Sequence, residues 1–377
     1  MRDLFFYGTL RHIPLLEVVM GRRADELQIT PAQLSSYAVS AVAEGPFPMI
    51  SEQSGALAEG VLVRGLSDVD MARLDFYEGS FAYDLRPVTL HDDQRAEVYV
   101  PQPDLWTPDG PWSLAQWERD WGEMSVIAAR EVMGYFGQRS RDEVAEMFPV
   151  IRARAASELR ARASLHGADT FDGKVEIKAR TRAYSYFFAV DDLKLRHEKY
   201  DGTMSEALDR AVFVAADAAL VLPYDPVRDR VLLVEQIRLG PIGRGDQTFW
   251  QLEPIAGRVD PGETPEETAR REALEEADLE ISELEKVAEI YPSPGTSTEF
   301  YYTYLGLADL PDGITGTSGL ETEHENIRSH LLSFDELMDR VDRFDVANAP
   351  LALAAYYLAR HRDRLRSEWV KDTPIPE

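Results

Sequence analysis

Three glutamates, Glu272, Glu275 and Glu276, stand at i, i+3 and i+4 in a stretch with helical spacing, so their carboxylates share one face. Like charges so placed repel by roughly 0.2–0.5 kcal/mol per pair. Taken alone, the set reads as a solvated acidic face. As a site, it is a donor set for a hard divalent cation, which takes one or two carboxylates and fills its shell with water and phosphate oxygens. A cation held there neutralises a diphosphate, polarises a phosphorus–oxygen bond and makes a bound water more acidic. The surroundings favour the site. Five residues separate Gly257 from Glu263, and seven more separate Glu263 from Arg271-Glu272-Ala273-Leu274-Glu275-Glu276. At residue usages near ~7%, a chance match of those identities is very improbable.

The elements that position these groups are written around them. Thr264 suits an N-cap, Pro265 the first helical position, and Glu267 completes a capping box, which predicts a helix over 265–277. Ala269, Ala273 and Ala277 form a second stripe, small enough for close packing on a sheet. Asp278 follows as a left-handed residue, which Asp tolerates better than most. Strand patterns at 218–222 and 231–234 flank the turn-rich 223–230, and further strands are expected near 287–291 and 300–307. Ser333 and Glu336 make another capping box, and Pro350 begins an apolar helix through Leu358. Upstream, Val175, Ile177 and Ala179, then Tyr184, Tyr186, Phe188 and Val190, alternate with polar residues as strands do.

Residues 1–100 read as short strands around a helix at 68–77. From 113 to about 163 the pattern is helical, with Gly134 and Pro149 as interruptions. Trp106, Trp112, Trp117 and Trp121 cluster at its start and read as a packing surface. No internal repeat is seen.

Composition narrows the chemistry. Among 377 residues, 40 Lys+Arg against 67 Asp+Glu give a net charge of −27. So acidic a surface repels phosphate backbones and anionic lipids, arguing against nucleic-acid and membrane partners. A phosphorylated substrate needs local cations, which bound metal supplies. Without cysteine there is no disulfide, thiol nucleophile or Cys-ligated metal. No leader-like or membrane-length apolar run is read, so a cytoplasmic multidomain protein is expected.

The stretch from Gly257 to Asp278 resembles the Nudix box of the Nudix hydrolases, departing where Asp278 replaces the usual glycine. Leu222–Val231, Glu235-Gln236-Ile237-Arg238, Pro292–Glu299 and Gly319–Arg328 look like the ADP-ribose pyrophosphatase branch of that family. Carried over by position, the resemblance implies metal ligation by Glu272, Glu275, Glu276 and the backbone carbonyl of Ala256. The metal would be Mg²⁺, as two or three ions, with Mn²⁺ as a substitute. The resemblance puts the general base at Glu323, with Glu325 the neighbouring candidate. It implies a phosphate contact at Arg238, a ribose contact at Glu299 and adenine stacking on Phe187 or Phe188. It also implies a homodimer in which the strands from 174 to 190 help form the partner's site. His324 reads as incidental, and the other histidines form no usable spacing.

At the other end, Tyr7-Gly8-Thr9-Leu10 follows the first strand and offers backbone N–H groups at a turn. Leu74–Gly79, with Tyr83 and Arg86 after it, puts the Glu78 carboxylate at a helix end among aromatics, where burial raises a carboxyl toward a general-base range. Together these resemble the γ-glutamylcyclotransferase-like (AIG2-like) fold. There the glutamate matching Glu78 shuttles protons while an α-amine attacks a γ-amide carbonyl and releases 5-oxoproline.

The fold class expected is therefore α+β and α/β in several domains. These are a γ-glutamylcyclotransferase-like mixed β-barrel over 1–105, a Trp-rich helical connector over 106–165, and a Nudix α/β/α sandwich with an extra N-terminal sheet over 166–370. The expected function is Mg²⁺-dependent hydrolysis of ADP-ribose to AMP and ribose 5-phosphate, with a cyclotransferase-like activity at the N-terminus. The rivals are hydrolysis of another nucleoside diphosphate sugar such as GDP-mannose, and a non-catalytic ADP-ribose sensor. The combination also resembles bacterial tellurite-resistance Nudix proteins, although no residue explains tellurite chemistry.

Overall fold

The computed structural model describes residues 1–78, 83–164, 170–319 and 326–372. Contacts divide the chain into two units, Met1–Leu165 and His166–Glu377.

In the first unit, β1 (Arg2–Phe6) passes through a 3₁₀ turn at Thr9–Arg11 into α1 (Ile13–Met20). Then come β2 (Gln28–Val42), β3 (Gly45–Leu66), α2 (Asp68–Glu78), β4 (Tyr83–Thr89), β5 (Arg95–Pro101) and β6 (Pro108–Pro111). The sheet order is β4-β5-β1-β3-β2-β6, with β1 parallel to β5. Where a mixed barrel is expected, the described pairings form an open path that ends at β6, a short exposed strand paired to β2. The period of two in β1 sends Leu4 and Phe6 to one core and Phe5 and Tyr7 to another.

The segment expected as a connector forms α3 (Leu114–Trp117), α4 (Glu123–Gly134) and α5 (Arg141–Ala163). Its Trp117, Met124, Ile127, Met147 and Ile151 share one core with Leu4, Phe6, Leu15 and Leu74. It is part of the first unit because its apolar stripes cover one face of that sheet. Pro149 does not interrupt α5, contrary to the sequence reading. Burial of Val144, Met147 and Ile151 on either side carries the helix past the one lost hydrogen bond.

The second unit begins with an antiparallel sheet of β7 (Val175–Ser185), β8 (Ala189–His197) and β9 (Leu208–Val214). It continues through β10 (Ala218–Asp225), β11 (Arg230–Ile237), α6 (Leu239–Arg244), β12 (Trp250–Glu253), β13 (Ile255–Arg258) and α7 (Pro265–Ala277). It ends with β14 (Glu283–Ile290), β15 (Tyr301–Leu307), β16 (Thr317–Ser318), β17 (Ile327–Ser333), α8 (Phe334–Asp342) and α9 (Ala349–Asp372). The large sheet runs β14-β15-β10-β11-β17-β16, with β12 on β11 and β13 on β10. Along β11, Leu232 and Val234 pack with Ala269 and Ala273 of α7, while Val231 and Leu233 pack with Leu337, Leu351 and Leu358 of α8 and α9. Alternation along one buried strand thus builds three layers, helix on sheet on helix. Among the described residues no helix is long and apolar enough to cross a membrane.

Helix α7 starts and stops where its caps dictate. The Thr264 hydroxyl accepts from the Glu267 N–H at 3.2 Å, and the Glu267 carboxylate accepts from the Thr264 N–H at 2.8 Å. At the other end Asp278 lies at φ 49°, and its N–H closes onto the Ala273 and Leu274 carbonyls. A Cβ in this region costs about 1 kcal/mol, which glycine avoids. Asp278→Gly is therefore expected to stabilise the second unit by about 0.5–1 kcal/mol. It would be read as a higher denaturant midpoint at unchanged m-value.

Candidate active sites

In the second unit, the Ala stripe of α7 sits on the sheet and turns Glu272 and Glu276 toward β13, with Glu275 beside them on Arg271. Glu276 is buried, 2 % exposed, and its carboxylate accepts a long hydrogen bond from the Ala256 N–H at 3.4 Å. At Gly257 any Cβ would lie 1.8 Å from Glu272 Oε1, so the strand must carry glycine for the Glu272 carboxylate to occupy this place.

Arg271 organises the rest. Its guanidinium donates to Glu263 at 2.9 and 3.0 Å, to Glu272 at 2.7 Å and to Glu275 at 2.9 Å, and reaches the Arg258 carbonyl at 3.3 Å. Glu263 also accepts from the buried Thr268 hydroxyl at 2.8 Å. The Arg271 contact, followed by Thr268, holds the Glu263 carboxyl below its usual range despite partial burial. For Arg271, burial disfavours the charge, but Glu263 and Glu272 outweigh it and the guanidinium is held above its ordinary value.

The donor set fits a hard cation in chemistry and place: carboxylates on one helix face opposite a strand whose glycine makes room for one of them. Among the described residues no three acidic or histidine side chains converge as a formed ligand cluster. The reason is visible in the contacts. Glu272 and Glu275 are turned onto Arg271, and a cation held by them would have to displace that guanidinium.

Arg238 N-caps α6 and is held by Glu253, Nε to Oε2 at 2.8 Å and Nη2 to Oε2 at 2.6 Å. Glu253 is buried, and its other oxygen accepts from Asn348 at 3.1 Å. Burial opposes the Arg238 charge, but Glu253 and then Glu276 raise it above its ordinary value. Glu299 is pushed up by burial, against a hydrogen bond from Tyr301 and the field of Arg238. Arg238, Glu253, Glu276, Glu299 and Tyr301 therefore form one electrostatic neighbourhood. Sequence reasoning missed Glu253, Asn348 and Tyr301; a carboxylate inside the apolar run Leu252–Ile255 is the trace the first leaves.

Phe187 and Phe188, at the β7–β8 turn, pack edge to face at 4.8 Å, and Phe188 tilts on Phe213 at 4.9 Å. Both rings are exposed. Phe213 pairs through its backbone with Thr296 and Thr298, in the segment leading to Glu299. Glu323 and Glu325 lie outside the described residues.

In the first unit, Tyr7, Gly8, Thr9, Leu10 and Glu78 line one cavity of about 90 Å³, together with Tyr77, Tyr83 and Tyr99. Gly8 passes close to Pro48, where a Cβ would stand 3.0 Å from Cγ. Tyr99 donates to Asp75 at 2.6 Å and Tyr83 to the Pro48 carbonyl at 3.3 Å. Burial pushes the Glu78 carboxyl up to about 7. Burial also raises the Tyr7, Tyr77 and Tyr83 phenols, with Glu78 adding to each, so they stay protonated donors. Ser125, Phe148 and Arg152, from α4 and α5, complete the wall and were not foreseen.

Comparison with known proteins finds a family for each of two segments of the chain. The NUDIX domain family matches residues 214–353, and the gamma-glutamyl cyclotransferase, AIG2-like family matches residues 4–119. An ADP-ribose pyrophosphatase of Escherichia coli (strain K12) is 38% identical over 195 residues, covering 52% of this chain and 92% of that protein. One from Haemophilus influenzae is 29% identical over 197 residues, 52% of this chain and 90% of its own. A GDP-mannose pyrophosphatase of Salmonella paratyphi B is 31% identical over 149 residues, 40% of this chain and 76% of its own. The chain belongs to the Nudix hydrolase family, with an AIG2-like γ-glutamyl cyclotransferase domain preceding the Nudix domain.

Gly257→Ala is expected to leave the fold intact, because the clashing atoms are the far end of a flexible side chain. It should displace Glu272 and lower metal-dependent turnover about 10–100-fold, the range seen when support of a metal ligand is lost. Steady-state kinetics with a thermal melt on the same sample check both halves.

Proposed function

We propose that the Nudix domain hydrolyses ADP-ribose with water to AMP and ribose 5-phosphate, in a metal-dependent reaction. The observation that carries this reading is the α7 carboxylate set, with Glu272 and Glu276 against β13, together with an arginine fixed by Glu253. Glu272, Glu275, Glu276 and the Ala256 carbonyl would hold the metal, as two or three Mg²⁺ ions, with Mn²⁺ able to replace them. When bound, the metal supplies charge neutralisation of the diphosphate and a more acidic water. Arg238, held by Glu253, contacts a phosphate oxygen. Glu299 receives ribose hydroxyls, and Phe187 or Phe188 stacks on adenine. Glu323, with Glu325 as its neighbour, takes the proton of the attacking water.

The exposed aromatic rings at the β7–β8 turn support a homodimer in which that sheet reaches the partner's site. Nucleotide chemistry and the lack of cysteine support a cytoplasmic enzyme. No residue described here bears on tellurite resistance. The likeness to a GDP-mannose pyrophosphatase keeps that sugar nucleotide as the second substrate to test. A sensor that only binds ADP-ribose has no need of the full carboxylate set.

Turnover of ADP-ribose and GDP-mannose, each with and without Mg²⁺, separates these readings. The expected result is metal-dependent AMP and ribose 5-phosphate, with Glu276→Gln losing more than the roughly 10–100-fold that removal of an outer partner costs. Hydrolysis of GDP-mannose alone would replace the substrate. Full activity in Glu276→Gln at saturating Mg²⁺ would remove that residue from the site.

We propose further that the first unit cyclises γ-glutamyl amides. Glu78 accepts a proton from the α-amine as that amine attacks the γ-carbonyl, and returns one to the leaving amine, giving 5-oxoproline. With its carboxyl near 7, turnover should rise roughly tenfold per pH unit below about 7 and level off above it. Stability should run the other way. The folded state holds this proton where the unfolded chain has released it, so stability falls as pH rises from the usual carboxylate range through about 7. Glu78→Gln should remove both pH dependences, read by 5-oxoproline release and by melts across that window.

A further inference from the structure

We propose that Asn348 is a positioning residue for Arg238. By holding one oxygen of Glu253 it confines the guanidinium to the other, and so fixes which edge of Arg238 is left for a phosphate. The proposal rests on the reading of Arg238 as a phosphate contact and states what keeps that contact in place.

Three residues far apart in the chain meet here. Arg238 follows β11, Glu253 ends β12 beside it, and Asn348 directly precedes α9. Asn348 is fixed from its own side. Its backbone carbonyl accepts from the Ala352 N–H at 3.1 Å and its Oδ1 from the Leu351 N–H at 2.9 Å, so it is the N-cap of α9. Leu351, Ala354, Ala355 and Leu358 bury that helix in one core with residues of the sheet. Because Oδ1 is committed to the helix, the other end of the amide, Nδ2, donates to Glu253 Oε1 at 3.1 Å. The opposite amide orientation would set a carbonyl against a carboxylate and N–H groups against each other.

Glu253 is 5 % exposed, so an oxygen left without a donor is costly. Asn348 supplies the donor for Oε1. Oε2 then takes both Nε and Nη2 of Arg238, at 2.8 and 2.6 Å. One edge of the planar guanidinium is thereby spent, and Nη1 stands outside the clamp. Among the described residues no other side chain bonds Arg238. Without the Asn348 bond both oxygens compete for the guanidinium. An end-on fork through Nη1 and Nη2 then consumes the edge a phosphate needs.

Asn348→Asp separates the two duties of this residue. Aspartate caps a helix as well as asparagine does, but it has no N–H for Glu253. In the full-length protein with saturating Mg²⁺, kcat/KM for ADP-ribose should fall about tenfold, the worth of one hydrogen bond to a charged group. In an Arg238→Gln background the same change should cost nothing further, because Asn348 acts only through that arginine. Pairing Asn348→Asp with Glu253→Gln reverses the polarity of the bond and should recover part of the loss.

The second readout is the Arg238 Nε–H signal in NMR spectra, assigned by its disappearance in Arg238→Gln. It should be sharp and protected from exchange in the wild type and broadened in Asn348→Asp. Should Asn348→Asp fail to fold, Asn348→Ser, which caps but is too short to reach Glu253, takes its place. An unchanged Nε–H signal, an equal loss of turnover with and without Arg238, or a large loss in Arg238→Gln beside none in Asn348→Asp would overturn the proposal. Wild-type turnover in Arg238→Gln, with the signal still dependent on Asn348, would sink the phosphate reading and leave the positioning standing.

Discussion

One guanidinium makes the α7 site buildable. Glu263, Glu272 and Glu275 all lean on Arg271, which offsets their mutual repulsion. These groups are partly exposed, so the pairing is screened and its contribution to folding is modest. Its larger effect is on position. Arg271 ties the loop through the Arg258 carbonyl and Glu263 to the helix through Glu272 and Glu275, so the strand-to-helix crossing behaves as one piece. Ala269 and Ala273 bring α7 close to the sheet, and Gly257 then leaves room for Glu272.

The two units treat carboxyl groups in opposite ways. On α7 they are crowded, and Glu272 and Glu275 are bonded to an arginine while Glu276 is buried. In the first unit a single carboxyl is set among aromatic rings, where burial brings it to about 7. That value suits proton transfer at neutral pH. Environment, not residue type, sets these carboxyls apart.

How much of this the sequence reveals depends on how local the cause is. Helix α7 is legible residue by residue, from Thr264 through Ala277 to the left-handed Asp278, because caps and stripes lie within one stretch. The alternating strands β7, β8, β10 and β11 are legible for the same reason. The clamp on Arg238 is not. Glu253 comes from a neighbouring strand and Asn348 from the cap of α9, so the three share no spacing. The helices at 114–163 show the same limit. Their Trp and Arg content suggests a connector, whereas long-range burial makes them a wall of the first unit's core and cavity. Pro149 reads locally as a break, and tertiary packing overrides it.

The charge balance around α7 favours a cation over an anion there. Glu253, Glu263, Glu272, Glu275, Glu276 and Glu299 stand around Arg238 and Arg271, and each arginine is already engaged by carboxylates. A diphosphate approaching this surface meets net negative charge in a protein of −27. Freeing Arg271 to meet it would expose three carboxylates to one another, and freeing Arg238 would leave Glu253 buried without its partner. Neither route gains charge. A cation held by Glu272 and Glu275 would displace Arg271 from them, leave the Glu263 contact intact and reverse the local field. The same carboxylates that exclude an anion from the bare helix would admit it with a metal bound.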